Sequence, residues 1–299
     1  MNWRILTLLL LIATLGCGGN SKPKQKSLSD QYTAALKMSD AVQRSKELAK
    51  VAEKQNKAGD GLAAQTSLAS AAVAAKEVTD PSSRATCLNT VAAAMCRLDN
   101  VSDAKPLFGE AAKAVDEITD VDAKITPLTS LASSTASYLK NPDLAAEYLK
   151  KAETAADAIG NPTIKAQALG RIAATYSKLP KEDEAKRMTE KALEFARSQP
   201  GAKEKSDTLA EVAAQLHKMQ KGTEAQAAFD EAQKEADKVE SPDGKANAYL
   251  HLAKKLKEAA QKEPAKALLA KAEDIADKLK DASLRGPLKT EIEQARKGL

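Results

Sequence analysis

The chain has 299 residues, 46 basic against 41 acidic side chains for a net charge of +5, 43% hydrophobic residues and only 3% aromatic ones. Alanine, the strongest helix former, supplies the largest part of the apolar share, and the scarcity of aromatic strand formers excludes a β-rich fold. Charges of both signs alternate along the chain with few rings to stack on bases, which excludes a nucleic-acid binder built on one basic face.

The chain opens with one positive charge at Arg4, an apolar run from Ile5 to Leu15, and small residues around Cys17. At about 1.5 Å per helical residue the run reaches roughly 16 Å, half a bilayer core, so it reads as an export signal rather than a spanning helix. The junction Leu15-Gly16-Cys17-Gly18-Gly19 resembles the lipobox of bacterial lipoproteins. That resemblance implies a signal peptide over 1–16, cleavage before Cys17, and lipidation of its thiol and new amino terminus. Gly18 in the following place implies the outer membrane, facing the periplasm. Thr14 stands where that family carries leucine, so ordinary signal cleavage after Gly16 stays open. Residues 17–28 are expected to be the anchor cysteine and a flexible linker, because Gly18 to Ser27 holds no hydrophobic residue.

Beyond the linker the sequence repeats every 40 residues. Leu48/Val51/Ala52, Leu88/Val91/Ala92, Leu128/Leu131/Ala132, Leu169/Ile172/Ala173, Leu209/Val212/Ala213 and Tyr249/Leu252/Ala253 recur at steps of 40 or 41. About 20 residues later come the alanine pairs Ala64/Ala71, Ala104/Ala111, Ala145/Ala152, Ala185/Ala192, Ala225/Ala232 and Ala265/Ala272, two helical turns apart. Apolar residues at spacings of three and four place one stripe on each helix. Asp80-Pro81, Asn161-Pro162 and Ser241-Pro242 mark helix starts. Breaks within the copies are expected at Gly59-Asp60-Gly61, Asp99-Asn100, Asn141-Pro142, Pro180, Gly222 and Glu263-Pro264. The periodicity predicts an all-α solenoid of about six antiparallel helical hairpins, each buried only by its neighbours and therefore needing capped ends. Repeats over 29–281 include an N-terminal half-repeat with a Ser27/Asp30 capping pattern, and 282–299 forms a C-terminal capping helix in which Glu293 replaces the repeat alanine.

The pattern resembles the tetratricopeptide repeat family over about residues 41–281. Ala104, Phe108 and Ala111, and again Ala225, Phe229 and Ala232, reproduce the spacing of that family's second helix. The period of 40 exceeds the family's 34, and alanine replaces the first-helix glycine. The resemblance implies a right-handed superhelix whose first helices line a concave groove for a protein or peptide partner. Carried onto this register, the groove would expose Thr86, Asn89, Thr126, Thr129, Gln167 and Ser177, with small neighbours such as Cys96 and Gly170.

A basic residue recurs in seven consecutive copies: Arg44, Arg84, Lys124, Lys165, Lys205, Lys245 and Arg285. It reads either as a ladder for an anionic partner or as a structural feature. The structural reading pairs it with Asp40, Asp80, Asp120 or Asp281 four residues earlier, or with Asp116, Asp157, Asp237 or Asp277 on the preceding helix. Cys87 and Cys96, nine apart on one helix, lie about 13 Å apart along its axis and cannot join in a disulfide. His217 and His251 fall in different copies without metal-ligand spacing, and no phosphate loop or nucleophile elbow appears. The expected function is a non-catalytic protein–protein interaction scaffold, tethered as an envelope lipoprotein, with no cofactor, metal or nucleic acid. The alternatives are a structural spacer without a discrete partner and an accessory subunit of a cell-wall enzyme complex.

Overall fold

A computed structural model describes residues 27–299, and all their regular structure is helical. The expected signal peptide, Cys17 and most of the linker lie outside the described residues. A short helix α1 (Leu28–Leu36) precedes six hairpins, each made of a first helix, A, and a second, B. Hairpin 1 is α2 (Ala41–Lys57) with α3 (Gly61–Lys76), hairpin 2 is α4 (Pro81–Arg97) with α5 (Val101–Asp116), and hairpin 3 is α6 (Val121–Tyr138) with α7 (Pro142–Asp157). Hairpin 4 is α8 (Pro162–Tyr176) with α9 (Glu182–Arg197), hairpin 5 is α10 (Ala202–Lys218) with α11 (Gly222–Asp237), and hairpin 6 is α12 (Pro242–Glu258) with α13 (Lys262–Lys278). A final helix, α14 (Ala282–Arg296), closes the array. Each helix packs on its hairpin partner and on the adjoining hairpins, which makes the fold an α-solenoid.

Helix starts follow the sequence signals. Asp80 accepts the Ser83 amide at 2.7 Å and Asn161 accepts the Ile164 amide at 3.1 Å, each with proline in the first helical turn, where no amide partner is missed. Ser241 caps α12 by position alone, without a hydrogen bond from its side chain. At the N-terminal end Ser27 and Asp30 form the expected local cap, the Asp30 amide reaching Ser27 Oγ at 3.1 Å.

The turns inside the hairpins share a device. Gly59, Asp99, Lys140, Gln220 and Ala260 all have positive φ, between 52° and 84°, at the same place in five of the six turns. In four of them the amide of the next residue returns to a carbonyl five residues earlier, as from Asp60 to Gln55 and from Gln261 to Leu256, so helix A ends in a Schellman turn. The break expected at Glu263-Pro264 therefore falls earlier, at Ala259 to Gln261, and Pro264 sits in the first turn of α13. Pro180 occupies the equivalent place in hairpin 4. Its ring fixes φ near −65°, so no left-handed residue forms there and α8 stops at 15 residues where the other A helices of the hairpins run 17 or 18.

The alanine columns form the spine of the core. Ala64, Ala71, Ala104, Ala111, Ala145 and Ala152 are all fully buried, and Leu48, Leu131, Leu169, Leu209 and Leu252 fill the space beside them. Small side chains bring the helices together and the larger ones act as knobs. Ala35 on α1, and Leu288 and Ile292 on α14, cover the two ends, with Glu293 exposed on the outer face as expected. Among the described residues no helix is long and apolar enough to cross a membrane.

Candidate functional site

The A helices stack in order, and the residues expected to line their groove are not all on an open face. Asn89 and Thr129 are buried between neighbouring helices, Thr129 Oγ1 donating back to the Ile125 carbonyl at 2.9 Å and Asn89 Oδ1 having no partner. Thr86 is exposed, and Ser177 lies just past the end of α8. Thr126 and Gln167 do meet, in a cleft of about 60 Å³ between α6 and α8, where Arg171 donates to Thr126 Oγ1 at 2.5 Å.

The tightest stacking of A helices is between α8 and α10. Gly170 lies against Gln215, and a Cβ at position 170 would come within 2.7 Å of Gln215 Cγ. All eleven residues from Ser206 to Leu216 are buried, including Asp207 and Glu211. Glu211 faces α12, where Lys255 Nζ stands 3.0 Å and His251 Nε2 3.3 Å from its Oε1. Despite that distance, His251 Nε2 makes no hydrogen bond. One turn earlier, Asp207 is held by Lys203 at 2.6 Å. Burial pushes the Glu211 carboxyl up, but His251 and Lys255 outweigh it and hold the carboxyl below the ordinary range. Burial likewise lowers Lys255, and Glu211 and Glu258 outweigh it and raise the ammonium.

This buried charge cluster was not recognised from sequence. One signal for it was present, since Arg171, Glu211 and His251 occupy one register position in consecutive copies, so unlike charges fall side by side once hairpins stack. Its chemistry is that of adhesion between hairpins. Asp207 and Glu211 lie on one helix, not across a cleft, and each already has a cationic neighbour. Among the described residues no group of three or more His, Cys, Asp and Glu side chains is placed to hold a metal ion. Cys87 and Cys96 are buried and free, and burial pushes both thiols up.

Four of the seven residues of the basic column are held by backbone carbonyls. Arg44, Arg84 and Arg285 donate to the carbonyls of Met38, Val78 and Leu279, six residues earlier, and Lys165 donates to the Asp157 carbonyl at 2.8 Å. These cations complete the C-terminal end of the preceding helix, where carbonyls lack partners and the helix dipole favours positive charge. The expected carboxylate partners are not used. Asp40, Asp80, Asp120 and Asp281 cap their own helices; Asp116 binds Lys151, Asp157 binds Lys191, Asp237 accepts from Tyr249 and Asp277 binds Lys289. Arg44 and Arg84 pair instead with Glu77 and Glu117, at the end of the following B helix. Lys124, Lys205 and Lys245 make no hydrogen bond or ion pair among the described residues.

No family model and no curated protein matches this chain. Among solved structures it is similar to Ton1535 from Thermococcus onnurineus NA1, at 15% identity and a TM-score of 0.37, over 88% of this chain and 94% of that one. It is also similar to BtubC (BKLC) from P. vanneervenii, at 17% identity and a TM-score of 0.36, over 84% and 91% of the two chains.

Proposed function

We propose that the protein is a non-catalytic scaffold for protein–protein interaction, tetratricopeptide-like in its repeat and anchored to the bacterial envelope through a lipidated Cys17. The observation that carries the reading is the repeat itself: six hairpins in one register, covered at both ends, present equivalent side chains at regular intervals along the array. Such a surface suits an extended partner, because each hairpin adds a contact of the same kind. The buried charges support this reading by being spent on stacking. The apolar run before Leu15-Gly16-Cys17 supports the tether, with the outer membrane facing the periplasm as the address.

Burial of Asn89 and Thr129 favours a second reading, a spacer whose A face is closed by its own packing. Two measurements separate the proposals. Labelling cells with an alkynyl fatty acid is expected to mark the wild-type chain and not Cys17→Ser; equal labelling of both would end the tether. Affinity capture from the envelope is expected to enrich one protein saturably, and clean absence in an extract that yields a known envelope pair would favour the spacer.

A further inference from the structure

The unpartnered lysines of the basic column lead to a specific surface. Near the start of each helix A stands the column residue, and its counterpart in register on helix B is the residue three past the second repeat alanine. In hairpin 4 these are Lys165 and Phe195, and the ammonium sits 5.3 Å from the centre of the ring. In hairpin 3 they are Lys124 and Ala155. The ring is missing there, and a cleft of about 370 Å³ opens between α5, α6 and α7, floored by Val115, Val121, Leu128 and Ala155 with Lys124 at its rim.

We infer that this notch in hairpin 3 receives an aromatic side chain from a partner segment, seated on the apolar floor beneath Lys124. The chain itself supplies the precedent, since Phe195 occupies the equivalent place one hairpin later. A second cation repeats the preference. Lys151, which also lines the notch, is equivalent to Lys271 of hairpin 6, and Lys271 sits 5.4 Å from the centre of the Tyr249 ring. In the notch itself Lys151 is held by Asp116 at 2.9 Å, which leaves Lys124 as the cation free to meet the negative face of an aromatic group.

The other hairpins lack the combination. Arg44 and Arg84, opposite Ala74 and Ala114, are neutralised by Glu77 and Glu117. Hairpin 5 carries Glu235, paired with Lys238, at the ring position, and in hairpin 6 Lys245 and Ile275 already line one cleft of about 500 Å³. Only hairpin 3 joins an unpaired cation to a small residue at the ring position among the described residues.

The inference rests on the scaffold reading for the source of the ring, but its test needs no partner. The full chain, labelled with ¹⁵N, is titrated with N-acetyl-phenylalanine amide at millimolar concentration, with N-acetyl-cyclohexylalanine amide as the saturated control. The expected result is a set of amide shifts confined to Val121, Lys124, Thr154 and Ala155, with the control about 2- to 5-fold weaker. Ala155→Phe is expected to fill the notch and abolish the shifts, and Lys124→Ala to weaken binding by a similar factor. Phe195→Ala is expected to create a second site beside Lys165. Absence of confined shifts, equal binding of the saturated control, or shifts that survive Ala155→Phe in a chain of unchanged circular dichroism would overturn the inference. So would a folded Phe195→Ala chain that gains no site. Loss of the notch with an envelope partner still captured would sink this inference alone; binding of the probe with no partner captured would sink the scaffold alone.

Discussion

Glu211 shows how a solenoid tolerates buried charge. A carboxylate taken out of water is costly unless paired, and Lys255 and His251, contributed by the next hairpin, offset that cost at this position. Because the folded carboxyl titrates below its unfolded value of about 4.3, its contribution is present above that pH and is lost as pH falls through the lower folded value. Lys255 gives the opposite limb: its folded value is raised, so its contribution holds below about 10.4 and fades as pH rises through the folded value. Glu211→Gln is therefore expected to lower stability by about 1–3 kcal/mol at pH 7 and to flatten the acid limb, as read by urea unfolding at a series of pH values. An unchanged acid limb would show that the pair contributes nothing. Gly170 is the second informative residue. Gly170→Ala adds a methyl group against Gln215, an overpacking cost of about 1–3 kcal/mol set against roughly 1 kcal/mol of helix propensity. The net is expected to be a loss, and adding Gln215→Ala in that background should recover stability; a rise in melting temperature for Gly170→Ala alone would refute the close approach.

Among the elements, the turn from helix A to helix B decides where each hairpin bends. Five turns use a left-handed residue, yet only Gly59 lacks the Cβ that makes that conformation costly, and Ala260 bears the cost without a polar side chain to bond locally. Ala260→Gly is expected to raise stability by about 0.5–1 kcal/mol, while Gly59→Ala lowers it by a similar amount, both measurable by thermal unfolding. Stabilisation by Gly59→Ala would contradict the turn geometry. The helices themselves were legible from sequence because apolar spacing, capping residues and prolines are local signals. The break assigned to Glu263-Pro264 was not, because a proline suits the first turn of a helix as well as a break, and the decisive left-handed residue at position 260 is an alanine without a turn signature. The basic column had a similar fate. Its recurrence was plain, but four of its seven members bond backbone carbonyls, and a carbonyl leaves no mark in a sequence.

For the whole molecule, nearest-neighbour stacking makes stability a sum of local interfaces, and the ends carry particular weight. Leu288, Ile292 and Ala295 of α14 bury their side chains against hairpin 6. Removing 282–299 is expected to expose that surface and to speed amide hydrogen exchange in α12 and α13, with little change in α2 and α3. Uniform loss of protection along the chain would mean that the array unfolds as one cooperative block. Charges between hairpins follow the same logic. Lys76–Glu110, Lys151–Asp116, Arg187–Glu153 and Arg197–Glu231 bridge successive B helices at 2.8–2.9 Å, and each exposed pair is worth only about 0.2–1 kcal/mol.

By itself the sequence determined the helical class, the hairpin count, the period, the two caps and the buried alanine columns, since each depends on spacing along one helix or on repetition between copies. It also carried the reading of an export signal and a lipidated Cys17. The tertiary structure decided which side chains meet between copies: that Asn89 and Thr129 are enclosed, that Glu211 finds Lys255, that Arg44 reaches a carbonyl, and that Lys124 stands over an unfilled notch. Those outcomes depend on separations of a few ångströms between helices some 40 residues apart, and they shift when one proline shortens α8 or one glycine draws α10 closer. A repeat fixes which positions are equivalent, whereas the distance between neighbouring helices fixes what those positions can touch.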